Sequence, residues 1–135
     1  MTTTPARPRP SSENGQTAVE FALVLPLLAV LIFAIVEFGV TFHDYVTVTD
    51  ASRVAARKAA VSRFAGDNGA AAEAAGFTAA ESLNGDDLDV ECSADDWNDA
   101  GSDVSCTVTY PYSIDVLGWV VTNGTLTSET TERLE

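Results

Sequence analysis

Glu20 is an ionisable group at the head of a segment suited to lipid. It closes the hexapeptide Gly15-Gln16-Thr17-Ala18-Val19-Glu20, and the run Phe21 to Val36 (FALVLPLLAVLIFAIV) follows with no charged or strongly hydrogen-bonding side chain. A charge at the bilayer centre costs about 2.5–3.5 kcal/mol on insertion scales, and less near the interface. A carboxylate kept there implies a specific use. If the chain is cut after Gly15, the new amino group belongs to Gln16, and Glu20 lies one helical turn away. Carboxylate and ammonium then neutralise each other within a subunit, or across to a neighbour in a bundle. Gly15, having no side chain, lets the backbone enter a protease cleft.

The remaining reactive groups suggest less. Glu37 is the second acid of the apolar segment and is expected near its outer boundary, within reach of water. Cys92 and Cys106 flank an acidic, turn-rich loop, and in an exported domain such a pair is expected to be oxidised. A bridge closing a loop of this size gives about 3 kcal/mol in the chain-entropy model. There is no C-x-x-C, and the one histidine, His43, is distant in sequence, so a redox or metal pair is disfavoured. Asp95, Asp96, Asn98, Asp99 and Asp103 could offer oxygen ligands to Ca²⁺. Yet Asp96-Trp97-Asn98-Asp99-Ala100-Gly101 lacks an acid or amide at its fifth position and a terminal Glu, so it is no EF-hand, and a solvated turn is expected. G-x-S-x-G, a nucleotide-binding glycine loop and H-E-x-x-H are absent from the sequence. The expectation is a protein without catalysis or cofactor.

These groups need a helix to carry them. Residues 1–15 form a leader rich in Pro, Ser and Thr, expected to be disordered and cytoplasmic. Extending Phe21–Val36 through Glu37-Phe38-Gly39-Val40-Thr41-Phe42 gives the ~20 residues that a spanning helix needs, and the transmembrane segment is set at 16–42. Pro26 would break a soluble helix but is tolerated, as a kink, in a membrane one. A cleaved signal peptide is the rival, but the run is long for one and no Ala-x-Ala follows it. Arg7 and Arg9 before the span place the N-terminus in the cytoplasm, although Arg53, Arg57, Lys58 and Arg63 weaken the charge bias.

Beyond the span the helical pattern continues, over 43–66, outside the membrane. Thr41, Tyr45, Val48, Ser52, Ala55 and Ala59 recur at spacings of four and three, a seam of mostly small residues suited to close packing. Covering the domain's own core is its favoured use, ahead of a purely intermolecular one. One helix of roughly 70 Å is predicted over 17–64, broken by Gly66-Asp67-Asn68-Gly69, with a second over 70–83. Alternation then predicts strands at 88–92, 104–110 (ended by Pro111, or marked there as an edge) and 125–133, with Asn123-Gly124 as the turn before the last. Residues 114–121 are apolar and ambiguous between a short helix and an extended segment. The fold class is α+β, with residues 67–135 forming a small, stapled domain around a three-stranded antiparallel sheet.

The glycine followed at the fifth mature position by glutamate, behind a short basic leader, resembles a type IV prepilin signal. The longer run GQTAVEFALVLPLLAVLIFAIVEFG is similar to the N-terminus of the TadE-like family, minor pilins or pseudopilins of tight-adherence (Flp-type, type IVc) pilus systems. Glu20-Phe21, Pro26 and Glu37-Phe38-Gly39 carry the resemblance, and Val108-Thr109-Tyr110-Pro111-Tyr112 with the closing Thr/Ser-rich strand agrees with it. Phe21 and the globular domain fit the minor class better than the shorter major pilins. The resemblance implies a structural part in a pilus that supports adherence and biofilm formation. The implied partners are the membrane, other pilins and pseudopilins, tight-adherence assembly proteins, and a prepilin peptidase cutting between Gly15 and Gln16. The arginines at 7 and 9 stand away from the cut, unlike the family's usual leader.

The competing class is a membrane-anchored extracytoplasmic binding module, taking a cation or an envelope polymer on its acidic loop. A simple tether has no use for Glu20. The net charge of −13, with no basic stripe, excludes nucleic acid as a partner.

Overall fold

The computed structural model describes residues 13–62, 66, 69–116 and 118–135. The leader up to residue 12, with Arg7 and Arg9, lies outside the described residues, as do Arg63, Phe64, Asp67 and Asn68. The architecture is α+β: a long helix, a short helix and a three-stranded antiparallel sheet in the order β1-β2-β3.

Helix α1 spans Glu13–Ala60, 48 residues, or about 72 Å at the α-helical rise. It stops short of the predicted 64. Ser62 bonds back to the Ala59 carbonyl through both its N–H and its hydroxyl, and the Ala60 carbonyl accepts the N–H of Glu135 at 3.0 Å. The C-terminus of the chain thus takes a carbonyl at the helix end. Helix α2 spans Ala70–Ala79, four residues shorter than predicted. Its end tightens into three-residue turns, Ala80 N–H to Phe77 O and Leu83 N–H to Ala80 O, which fold Leu83 back into the core.

Strand β1 spans Asp89–Ala94, β2 Asp103–Val116 and β3 Trp119–Arg133. Of the two readings of Pro111, an end or an edge, the edge holds, and β2 runs on past it. The β1 ladder finishes at the pair Asp89–Thr109, so beyond Thr109 β2 has one open side, and a residue without an N–H is tolerated there. Asn123-Gly124 is not a turn: these residues pair with Ser113 and Tyr112 inside the hairpin. A Cβ on Gly124 would come within 2.9 Å of the Tyr112 ring, so the ring lies over the bare glycine. The hairpin closes instead at the pair Val116–Trp119, with Gly118 at φ 83°. The ambiguous 114–121 segment is therefore the tip of a hairpin.

The core lies between the C-terminal half of α1, helix α2 and the sheet. Val48, Ala51, Ala55, Ala56 and Ala59 of α1 meet Val90, Val104, Cys106 and Val108 of the sheet, with Ala72, Leu83, Leu88 and Leu134 around them. The seam therefore does cover the domain's own core from Val48 onward, while Thr41 and Tyr45 stay outside it. Alanine dominates because the backbones approach closely. At Gly76 of α2 a Cβ would meet Val90 Cγ1 at 2.9 Å and the Ala55 Cβ at 3.2 Å.

Candidate functional site

The head of α1 is built by helix geometry alone. Side chains on a helix lean toward its N-terminus, so Glu20 reaches back over the preceding turn. There the Gln16 amide donates from Nε2 to Glu20 Oε1 at 3.1 Å. The sequence reading paired Glu20 with a future amino group and missed this side-chain partner, although the i, i+4 spacing of Gln and Glu is its signal. Gly15 lies inside α1 with nothing within 4 Å of where a Cβ would be.

From Val19 to Val46 the large apolar side chains stand exposed, Phe21, Phe38 and Phe42 among them. The most apolar 18-residue window of α1 is 0% buried, and α1 is the single helix among the described residues long and apolar enough to cross a membrane. A core helix of a soluble protein would be covered. With one such helix, near the N-terminus and continuous with the folded domain, the chain reads as a single-pass membrane anchor.

The helix runs through Pro26, which has no N–H to offer the Ala22 carbonyl. Near the far boundary, Glu37 keeps its carbonyl bonded to the Thr41 hydroxyl at 3.1 Å, and the rings of Phe38 and Phe42 lie 6.4 Å apart, nearly parallel. A Cβ on Gly39 would meet nothing within 4 Å, so this face is open.

Beyond the span, side chains weld the helix to the sheet. Ser52 is fully buried, and its Oγ lies 2.9 Å from the Thr49 carbonyl, 3.1 Å from Ser128 Oγ and 3.0 Å from Thr130 Oγ1. Glu73 of α2 accepts the N–H of Cys92 at 3.2 Å, which satisfies a donor on the outer edge of β1.

Cys92 and Cys106 are bonded to each other across directly opposed positions of β1 and β2, with Cα atoms 4.1 Å apart. The sulfurs close the acidic loop from its base. Its five oxygen-bearing residues do not converge. Asp96 Oδ1 accepts the Asn98 N–H at 2.8 Å, making a local turn. Asp103 pairs with Arg133 at 3.5 Å. Among the described residues no group of three His, Cys, Asp or Glu side chains is placed to hold a metal ion. The concavity described is a shallow, open depression on the hairpin, lined by Asp87, Tyr112, Ser113, Asn123, Gly124 and Thr125. It gathers no catalytic set.

Residues 15–57 match the family model described as TadE-like protein. The match starts at Gly15 and runs through the apolar helix into the core-forming segment, and residues 58–135 lie outside it. The match takes in Glu20-Phe21, Pro26 and Glu37-Phe38-Gly39, and over this third of the chain the sequence is similar to that family. No curated protein and no solved structure matches the chain significantly.

Proposed function

We propose, from the TadE-like character of residues 15–57, that this chain is a minor pilin or pseudopilin of a tight-adherence (Flp-type, type IVc) pilus machine. It is a structural component, serving adherence and biofilm formation. The observation that carries the reading is the division of α1. Its first part leaves every residue of the most apolar window uncovered, while its last part, from Val48, is fixed into the core of the sheet domain. A helix held rigidly at one end and bare at the other is a shaft ready to pack against other shafts.

In this mechanism the N-terminus faces the cytoplasm, residues 16–42 are stored in the bilayer, and residues 67–135, with the outer part of α1, stand outside. A prepilin peptidase cuts between Gly15 and Gln16. Glu20, its side chain already aimed at Gln16, exchanges an amide partner for a charged one, on its own chain or on the neighbouring pilin. Phe21, Pro26, Glu37, Phe38 and Gly39 are the features of the transmembrane helix that the family resemblance picks out. The partners are other pilins and pseudopilins and the tight-adherence assembly proteins.

Intact mass of the protein isolated from its native membrane tests the reading directly. A chain beginning at Gln16 supports processing. A chain beginning upstream, together with normal piliation in a Glu20→Ala strain, would leave only a membrane tether. Against the binding-module alternative, the Asp96 carboxylate serves a local turn and Asp103 an ion pair, and no metal-holding group of carboxylates forms among the described residues.

A further inference from the structure

The tip of the β2–β3 hairpin is the least expected surface outside the span. Trp119 is 82% exposed, Val121 65% and Val120 61%. In a chain of net charge −13, the stretch from Val116 to Ser128 holds no charged residue. The tip also extends beyond the sheet, since β1 pairs with β2 only as far as Thr109. One extra residue on β3, between the pairs Ile114–Thr122 and Asp115–Val120, bulges the ribbon there and adds twist.

Two contacts fix where this tip points. Glu135 N–H meets the Ala60 carbonyl, while Ser128 and Thr130 meet Ser52. Moving back along β3 therefore means moving down α1 toward the apolar segment. Between these contacts the helix descends about 12 Å while the chain retreats about 20 Å. From the Ser52 contact, β3 continues for about 33 Å to Trp119. At the same inclination this is about 20 Å along the helix axis, or about 13 residues. A ribbon that kept this inclination would bring Trp119 to about the level of Gly39, near the outer end of the 16–42 span. The opposite end of the domain carries the acidic loop and Trp97, where Gly101 bonds to Leu134.

We infer that the Trp119 hairpin tip is a second membrane contact, a wedge seated in the headgroup region beside the helix. An indole with an apolar body and one N–H suits that region, where Trp and Tyr concentrate. A lipid surface repels a carboxylate-rich face, and the tip beyond the half-buried Asp115, which pairs with Val120, is free of charge. The two anchors would hold the domain at a fixed tilt on the bilayer, and the tip would have to leave the lipid when the shaft is drawn out. This inference rests on the membrane-anchor reading of α1.

The test uses the full chain, one copy per phosphatidylcholine/phosphatidylglycerol nanodisc, with lipids brominated near the headgroup end of the acyl chain. The chain has two tryptophans, and Trp119→Phe isolates the Trp97 signal without touching the core. By difference, Trp119 emission is expected to be blue-shifted and to be quenched by brominated lipid, as befits an indole at the headgroup level, while the Trp97 signal is unchanged. Retention of the chain in vesicles after an alkaline wash reports α1 independently. If the chain is retained but Trp119 is quenched no more than Trp97, the inference is overturned and the anchor stands. If the chain is washed off, both fall.

Discussion

Ser52 Oγ on the long helix lies 3.0 Å from Thr130 Oγ1 on the last strand, in a fully buried position. That contact joins the first element of the fold to the last and sets the height of the sheet along the shaft. The hydroxyls of the half-buried Ser128 and Thr130, with the Thr49 carbonyl, satisfy the buried Ser52 hydroxyl. Ser52→Val would remove the shared partner while keeping the volume close. It is expected to cost about 0.5–1.5 kcal/mol, the net worth of an intramolecular hydrogen bond, because the half-buried Ser128 and Thr130 lose their shared partner. Thermal unfolding followed by circular dichroism in detergent measures it. An unchanged melting temperature would mean that water replaces the contact.

Gly69 opens α2 at φ 93°, and a Cβ there would come within 2.7 Å of the Trp97 ring. Gly69→Ala therefore meets both a left-handed backbone and a clash. A loss of about 2–5 kcal/mol is expected, the sum of roughly 1–2 for the backbone and 1–3 for overpacking. Trp97 fluorescence should shift in the same variant, since the ring must move to admit the methyl group.

Removal of the bridge by Cys92→Ala and Cys106→Ala together is expected to cost about 3 kcal/mol, the loop-closure entropy returned to the unfolded chain. Cys106 is fully buried in the sheet, so some packing is lost as well. Denaturation of the oxidised wild type against the double variant checks the figure. A difference within error would show that the long helix and sheet hold the domain unaided.

Glu20→Gln keeps a hydrogen-bond acceptor for Gln16 but removes the charge. The folded domain is expected to melt as in the wild type, because Glu20 is exposed and lies far from the core. Pilus assembly in cells should fall sharply if the carboxylate neutralises a cut amino terminus. Pilus counts by electron microscopy, beside an unchanged melting curve, would separate assembly from stability. Full piliation would remove the role given to Glu20.

Much of this protein is legible in local pattern. The helix shows in its apolar run and the seam that follows, because both repeat at the helical period. The strand carrying Val104, Cys106 and Val108 shows in alternation, and all three are buried as that predicts. Glu20, Gly15 and the Glu37-Phe38-Gly39 exit were readable because charge and glycine in an apolar run stand out without any structure. Other features depend on residues far away in sequence. Pro111 reads as a stop or an edge, and is an edge because β1 happens to end beside it. Asn123-Gly124 looks like a turn, and is held straight under Tyr112. The end of α1 at Ala60 depends on Glu135 arriving there.

The sequence by itself determined the character of the shaft: its bare apolar half, its acid at the head and its small-residue half. Helical periodicity and transfer free energy are local properties, and they need no partner to be read. The tertiary structure alone decided how the sheet sits on that shaft. Strand register and the Ser52, Ser128 and Thr130 contact set the direction in which the hairpin runs along the shaft. No local pattern encodes that placement, because it follows from pairings between residues more than seventy positions apart.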